Sequence, residues 1–308
     1  MDNRRMRKGR SFSAFAKTAF AIIAWLVIWQ LVALAVANPW LLSGPVETLV
    51  AWGNLALTAD FWQAVGRSLA RIALGFVIAF VAGCVLGYLA ARLPGVRTFL
   101  KPAVLAIKSA PVVCIIALLL VAVGSNVTTT IVVGLVVFPQ FYHAVMEASL
   151  ERRDGIDEML DVFGVPCVRR ILCVEFVAFG ASIRSALAVA AGLAWKSGVA
   201  AEIIGLPGLS IGEGVYLAKI SLDSATIIAW TATVILLSWL TEKLLLGLAD
   251  AGSELPKRRL AAHARRAVDG HDTISTQGSM PSSRGFDIVG LERTYDAGEL
   301  RLRYEDLH

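Results

Sequence analysis

At 308 residues, 56% of them hydrophobic and 17% charged, with a mean hydropathy of +0.67, the chain is too apolar for a soluble protein of its size. Its net charge of +5 comes from basic residues scattered at the ends of apolar blocks. That scatter argues against a nucleic-acid surface and makes the charge a signal of membrane topology.

A helix crossing the ~30 Å hydrocarbon core needs roughly 20 mostly apolar residues. Six segments qualify: 15–37, 65–91, 102–124, 127–148, 171–194 and 225–249. Backbone groups in lipid must be satisfied within the segment, and stretches this long suit helices, not barrel strands. The expectation is an all-α polytopic membrane protein with six transmembrane helices. Lys and Arg set its orientation: nineteen lie in 4–17, 92–101, 152–170 and 243–266, against Arg67, Arg71, Lys196 and Lys219 on the other side. Both termini are therefore expected in the cytoplasm, with the chain in the cell inner (plasma) membrane.

Residues 1–14 form a basic cytoplasmic N-terminus, and 15–249 the membrane domain. Ala35-Val36-Ala37 before Asn38-Pro39 imitates a signal-peptidase site, but the apolar run before it is about twice a usual h-region, so it reads as the first span. In the external stretch 38–60, Pro39, Gly44 and Pro45 break the chain, and 46–57 suits a short interfacial helix anchored by Trp40 and Trp52. The second span carries Gly75, Gly83 and Gly87 on one smooth face, the pattern of close helix packing in lipid. In the third, Lys108-Ser109-Ala110-Pro111 frees a carbonyl and kinks the helix. Lys108 either snorkels to the headgroups or Ser109 and Pro111 shape a gate. His143 and Glu147 end the fourth span at the interface.

Residues 153–172, RDGIDEMLDVFGVPCVRRIL, predict a short polar helix between the fourth and fifth spans. Ile156, Met159, Leu160 and Phe163 follow i, i+3, i+4, i+7 spacing, while Asp157, Glu158 and Asp161 take the opposite face. Such a helix suits docking by a soluble partner. Between Trp195 and Asp223 the sequence reads as an external loop: 199–206 is apolar but too short to span, and Gly205-Leu206-Pro207-Gly208 turns the chain. Lys196 and Glu202 there are either ordinary loop charges or line a cavity.

Residues 250–284 are expected as a basic cytoplasmic stub at 257–266 followed by a flexible linker at 270–284. In the tail 285–308, 286–291 and 299–304 suit two short strands, marginal on their own.

No P-loop and no H-E-x-x-H occur, and the four histidines and four cysteines have no metal-ligand spacing. No metal, cofactor or catalytic residue of its own is expected, so the energy for transport must come from a gradient or another protein. The region from about 41 to 246 resembles the permease subunit of an ABC importer of the nitrate/sulfonate/taurine type. The carrying segments are LLSGPVETLVAW, RSLARIALGFVIAFVAGCVLGYLAAR, IKSAPVVCIIALLLVAVG and LAWKSGVAAEIIGLPGLSIGEGVYLA, in that order. The family's cytoplasmic signature is Glu-Ala-Ala, three residues, Gly, nine residues, then Ile-x-Leu-Pro. Glu158 and Gly164 match it, Met159-Leu160 replace the alanines, Val174 takes the Ile place, and Phe176-Val177 replace Leu-Pro.

The resemblance implies a homodimer forming the translocation pathway, coupled to a separate cytoplasmic ATPase that binds ATP, and fed by an extracytoplasmic solute-binding protein. It implies ATPase coupling through Ile156, Glu158, Met159, Leu160, Phe163 and Gly164. Ser109, Pro111, Lys196 and Glu202 are the candidates for the pathway or gate, and the solute is a small one, such as a nitrate-, sulfonate- or taurine-like anion. GFDIVGLERTYDAGELRLRYEDLH resembles the opening strands of an ABC ATPase, with Tyr295 placed to stack on adenine. The tail is therefore either a truncated ATPase fusion, with Met280 a former start, or an unrelated disordered segment. The competing function is an ion- or proton-coupled transporter with Lys108, Glu175, Arg184, Lys196 and Glu202 as its relay; a purely structural membrane scaffold is the third class.

Overall fold

The computed structural model describes residues 3–36, 38, 40–150 and 176–275. The chain divides into two compact units, Met1–Arg258 and Arg259–His308. In the second, the described residues are helical as far as Ser275. The described residues form nine helices and no strand: α1 (Asn3–Val36), α2 (Pro45–Ala56), α3 (Ala59–Arg92), α4 (Pro94–Ser109), α5 (Val112–Val123), α6 (Ser125–Leu150), α7 (Phe176–Gly205), α8 (Ile211–Ile220) and α9 (Ser224–Ser275).

Four of these are long and apolar enough to cross a membrane: α3, α6, the Ser182–Gly205 part of α7 and the Ser224–Ala251 part of α9. The apolar part of α1, Phe20–Val36, is shorter. Helix α2 forms where an interfacial helix was expected, with Pro45 at its first position and Glu47 reaching back to the Gly44 N–H at 3.1 Å.

Local chemistry sets the helix ends. Thr58 caps α3 by accepting from the Phe61 N–H at 3.3 Å, and α3 stops at Leu93, before Pro94. The stretch expected as a kinked third span is two helices, α4 and α5, bent by 103°. Ala110 precedes Pro111 and is pushed out of the helical region to φ −72°, ψ 136°, so the helix breaks there instead of bending gently.

The helix expected to end at 194 runs further along the chain. Helix α7 continues through Lys196 and Glu202 to Gly205, so the stretch 195–205 is helix and not external loop. Two charges in an apolar run look like a loop when their partners are unseen; here Glu202 is neutralised inside the fold. The chain then turns at 206–210, where Leu206 (φ 46°) and Leu209 (φ 44°) take left-handed backbone on either side of Gly208.

Helices α3, α6 and α7 form the centre of the first unit, in a core that includes Phe61, Ile72, Phe76, Val133, Val137, Phe141, Ala190, Ala194 and Trp195. The small-residue face of α3 is what lets α6 approach. A Cβ on Gly83 would lie 2.7 Å from Phe141 Cβ, and one on Gly87 would lie 2.6 Å from the Tyr142 carbonyl oxygen. A Cβ on Gly75 would collide with the Thr130 carbonyl. Phe141 sits edge-on to both Phe76 and Phe80, at 5.6 and 5.0 Å between ring centroids. Without a hydrophobic force between helices in lipid, this close backbone contact is the main source of cohesion.

Longer polar ties hold the outer helices. The Trp29 indole donates to the Ser43 carbonyl at 3.2 Å, and the Ser43 and Ser224 hydroxyls share a buried hydrogen bond of 2.6 Å. The Trp52 indole donates to Thr233 Oγ1 at 3.0 Å, and the Trp195 indole to Thr241 Oγ1 at 3.2 Å.

Replacing Gly83 by Val overpacks the α3–α6 contact and is expected to destabilise the protein by about 1–3 kcal/mol. Gly53→Val on α2, where no atom lies within 4 Å of the new Cβ, should leave stability unchanged. Thermal unfolding of the detergent-solubilised variants checks both.

Candidate functional site

The densest polar assembly among the described residues lies where α3, α7 and α8 meet. Glu202, near the end of α7, is fully buried (0% exposed). Three donors occupy its carboxylate. The Ser68 hydroxyl donates to Oε2 at 2.6 Å, the Gly212 N–H to the same oxygen at 3.3 Å, and Arg71 Nη1 to Oε1 at 3.4 Å. Ser68 in turn accepts from the Ile211 N–H at 2.9 Å, and Arg71 Nη2 donates to the Pro207 carbonyl at 3.2 Å. Gly212 is required because a Cβ there would overlap the Glu202 backbone.

Sequence alone explains part of this arrangement. Ser68 and Arg71 are three residues apart and so share a face of α3, and Glu202 is the one acid in the second half of α7. A carboxylate without partners in such a place would cost several kcal/mol, so its donors must converge on it. The result clamps α3 to the strained 206–210 turn and to the first turn of α8. Ser210 caps α8, its Oγ accepting from the Glu213 N–H at 3.1 Å. The residues Gly208–Gly212 spell G-x-S-x-G, which corrects the expectation from sequence that this pattern is absent. Ser210, however, is buried, follows a helix and not a strand, and bonds to no described histidine.

A second polar locus follows α7 toward its other end. Arg184 and Asp250 form a two-point ion pair between α7 and α9, at 2.8 and 3.4 Å, with both side chains about half exposed (53% and 54%). Between this pair and the Glu202 clamp lie Lys196 on α7 and Glu242 and Lys243 on α9. Lys196 and Lys243 are exposed, and Glu242 is half-buried. A lysine facing lipid at the centre of a span costs roughly 2.5–3.5 kcal/mol. A third feature is a cavity of about 250 Å³ between the end of α1 and the start of α2, bordered by Gln30, Asn38, Gly44 and Glu47.

The pathway candidates thus separate. Ser109 and Pro111 flank the α4–α5 break and are exposed; Lys196 is exposed on α7; Glu202 is enclosed in its clamp. Among the described residues, those of the competing relay do not pair with one another. Arg184 bonds Asp250 and Glu202 bonds Arg71, while Glu175 lies outside the described residues. Ile156, Glu158, Met159, Leu160, Phe163 and Gly164 also lie outside the described residues, as does the tail 285–308. No group of three or more metal-ligating side chains occurs among the described residues. Ser68, Arg71 and Gly212 were not legible as site residues. The one signal was an arginine in an apolar helix, which calls for an acid elsewhere.

No protein-family model matches the chain, and no curated protein matches it.

Glu202→Ala leaves Arg71 and Ser68 without their acceptor and is expected to cost about 3–5 kcal/mol. Ser68→Ala, which strips one donor from the carboxylate and one acceptor from Ile211, is expected to cost about 1–3 kcal/mol. Thermal unfolding of Arg71→Met, Glu202→Met and the double variant gives the coupling. The double variant should be more stable than the sum of the two single losses implies, because it leaves no unpaired charge.

Proposed function

We propose that this chain is the permease subunit of an ABC importer, a six-span protein of the inner membrane with both termini in the cytoplasm. The observation that carries the reading is where the polar segment 151–175 falls. It joins α6 to α7, two of the three helices at the centre of the bundle. A partner that pushes on this segment acts directly on the packed core and not on a peripheral helix. Its sequence suits such a partner, with apolar Ile156, Met159, Leu160 and Phe163 at i, i+3, i+4, i+7 spacing and Glu158 and Gly164 at the family's spacing.

The break between α4 and α5 supports the same reading. Irregular backbone at membrane depth is tolerated where it is buried in protein or borders an aqueous space, and discontinuous helices are a device of transport proteins. In this reading two copies form the pathway for a small solute. A binding protein delivers that solute from outside, and a separate cytoplasmic ATPase supplies the energy. Closure of the ATPase dimer on ATP moves the 151–175 segments, and α6 and α7 carry the motion into the span region as alternating access.

Co-purification tests the dock. Wild-type protein in detergent should capture its ATPase, and Gly164→Asp and Phe163→Ala should each reduce capture at least ten-fold. Equal capture by all three would remove the segment as the dock. Absence of capture by the wild type, with the correct ATPase present, would favour the gradient-driven transporter.

A further inference from the structure

Helix α4 lies across the bundle and not along it. Its neighbour α5 runs beside the span α7 in the same direction, with Ile116 packed on Ala201 and Leu120 beside Gly205. The chain bends by 103° between α4 and α5, so α4 stands nearly at right angles to that direction. Its depth follows from α6, which begins at Ser125 directly after the Gly124 turn. Helix α4 packs on Tyr142 and Met146 of α6, in a cluster with Ala90 and Ala91 at the end of α3. Tyr142 and Met146 come seventeen and twenty-one residues after Ser125. At 1.5 Å per residue that is about 26 and 32 Å, against a hydrocarbon thickness of ~30 Å. With the Gly124 turn at one surface, α4 lies at the boundary between hydrocarbon and headgroups on the other.

Three arcs divide the surface of this helix. Val96, Leu100 and Val104 form the side packed on α3 and α6. Arg97, Lys101 and Lys108 follow next to it, within about 40° of one another at roughly 100° per residue, and all three are exposed. None of these cations makes a hydrogen bond or an ion pair among the described residues. The remaining arc carries Phe99 and Leu105, 80% and 61% exposed. A basic stripe therefore adjoins an open apolar face on a helix at the membrane boundary.

The occupant of such a surface has to present an anion and an apolar body within one helix width. A soluble anion would leave Phe99 and Leu105 uncovered, and a neutral lipid would leave three like charges unbalanced. An anionic phospholipid meets both demands, with its phosphate at the level of the cations and its chains beside the apolar arc. We propose that α4 is an interfacial helix that binds anionic phospholipid, the headgroup held by Arg97, Lys101 and Lys108 and the acyl chains lying over Phe99 and Leu105. The proposal does not rest on the permease reading and stands for any function of the bundle.

Native mass spectrometry of the full-length protein released from detergent tests it, with phosphatidylglycerol and phosphatidylcholine of identical acyl chains as the probes. The wild type should retain phosphatidylglycerol at least five-fold over phosphatidylcholine. The double variant Arg97→Gln/Lys101→Gln should lose most of that preference. Arg67→Gln/Lys219→Gln removes the same charge from exposed positions on α3 and α8 and should keep it. Each protein is first shown to elute as a single folded species. Equal preference in the two double variants would make the effect one of net charge alone and overturn the proposal. A wild type without the preference would overturn it as well, and would leave the apolar arc of α4 to a second copy of the chain or to another protein.

Discussion

A carboxylate buried at the end of an apolar helix has to be satisfied from within, and much of the first unit is arranged around that requirement. Glu202 is fully buried, so Ser68 and Arg71 of α3 and the backbone of α8 come to it. Their convergence sets the rotation of α3 against α7, because Ser68 and Arg71 share one face. It also holds the turn at 206–210, where two leucines with positive φ would not persist without outside restraint. Arg71 does both jobs, with one nitrogen on Glu202 and the other on the Pro207 carbonyl.

Further along α3 a different rule holds. There the helix presents glycines, and α6 comes close enough for backbone to touch backbone at Gly75, Gly83 and Gly87. One helix thus makes a polar, directional contact with α7 and an apolar, shape-determined contact with α6. The two differ in how they yield. A glycine contact can slide at small cost, whereas the Glu202 clamp must break its bonds to move. The clamp therefore ties α3, α7 and α8 by directional bonds, whereas α3 and α6 are held by fit alone.

Features governed by neighbouring residues were legible in the sequence. The Pro45 start of α2, the break before Pro111 and the glycine face of α3 each depend on a few adjacent positions, and each appears where the residues put it. The severity of the Pro111 break was underestimated, since a residue before proline leaves the helical region altogether. The register of the fifth span was misread because Lys196 and Glu202 look like loop residues in isolation. Arg71, which lets Glu202 enter the helix, is 131 residues away, and nothing local announces the pairing.

The central claim is that the 151–175 segment transmits work from an ATPase to the α6–α7 core. ATP hydrolysis by the candidate ATPase, reconstituted in proteoliposomes with and without this protein, tests it most directly. The account predicts several-fold stimulation by the wild-type protein and basal hydrolysis with Gly164→Asp, both proteins being inserted and folded. Identical hydrolysis with wild type, with Gly164→Asp and with empty vesicles would contradict it.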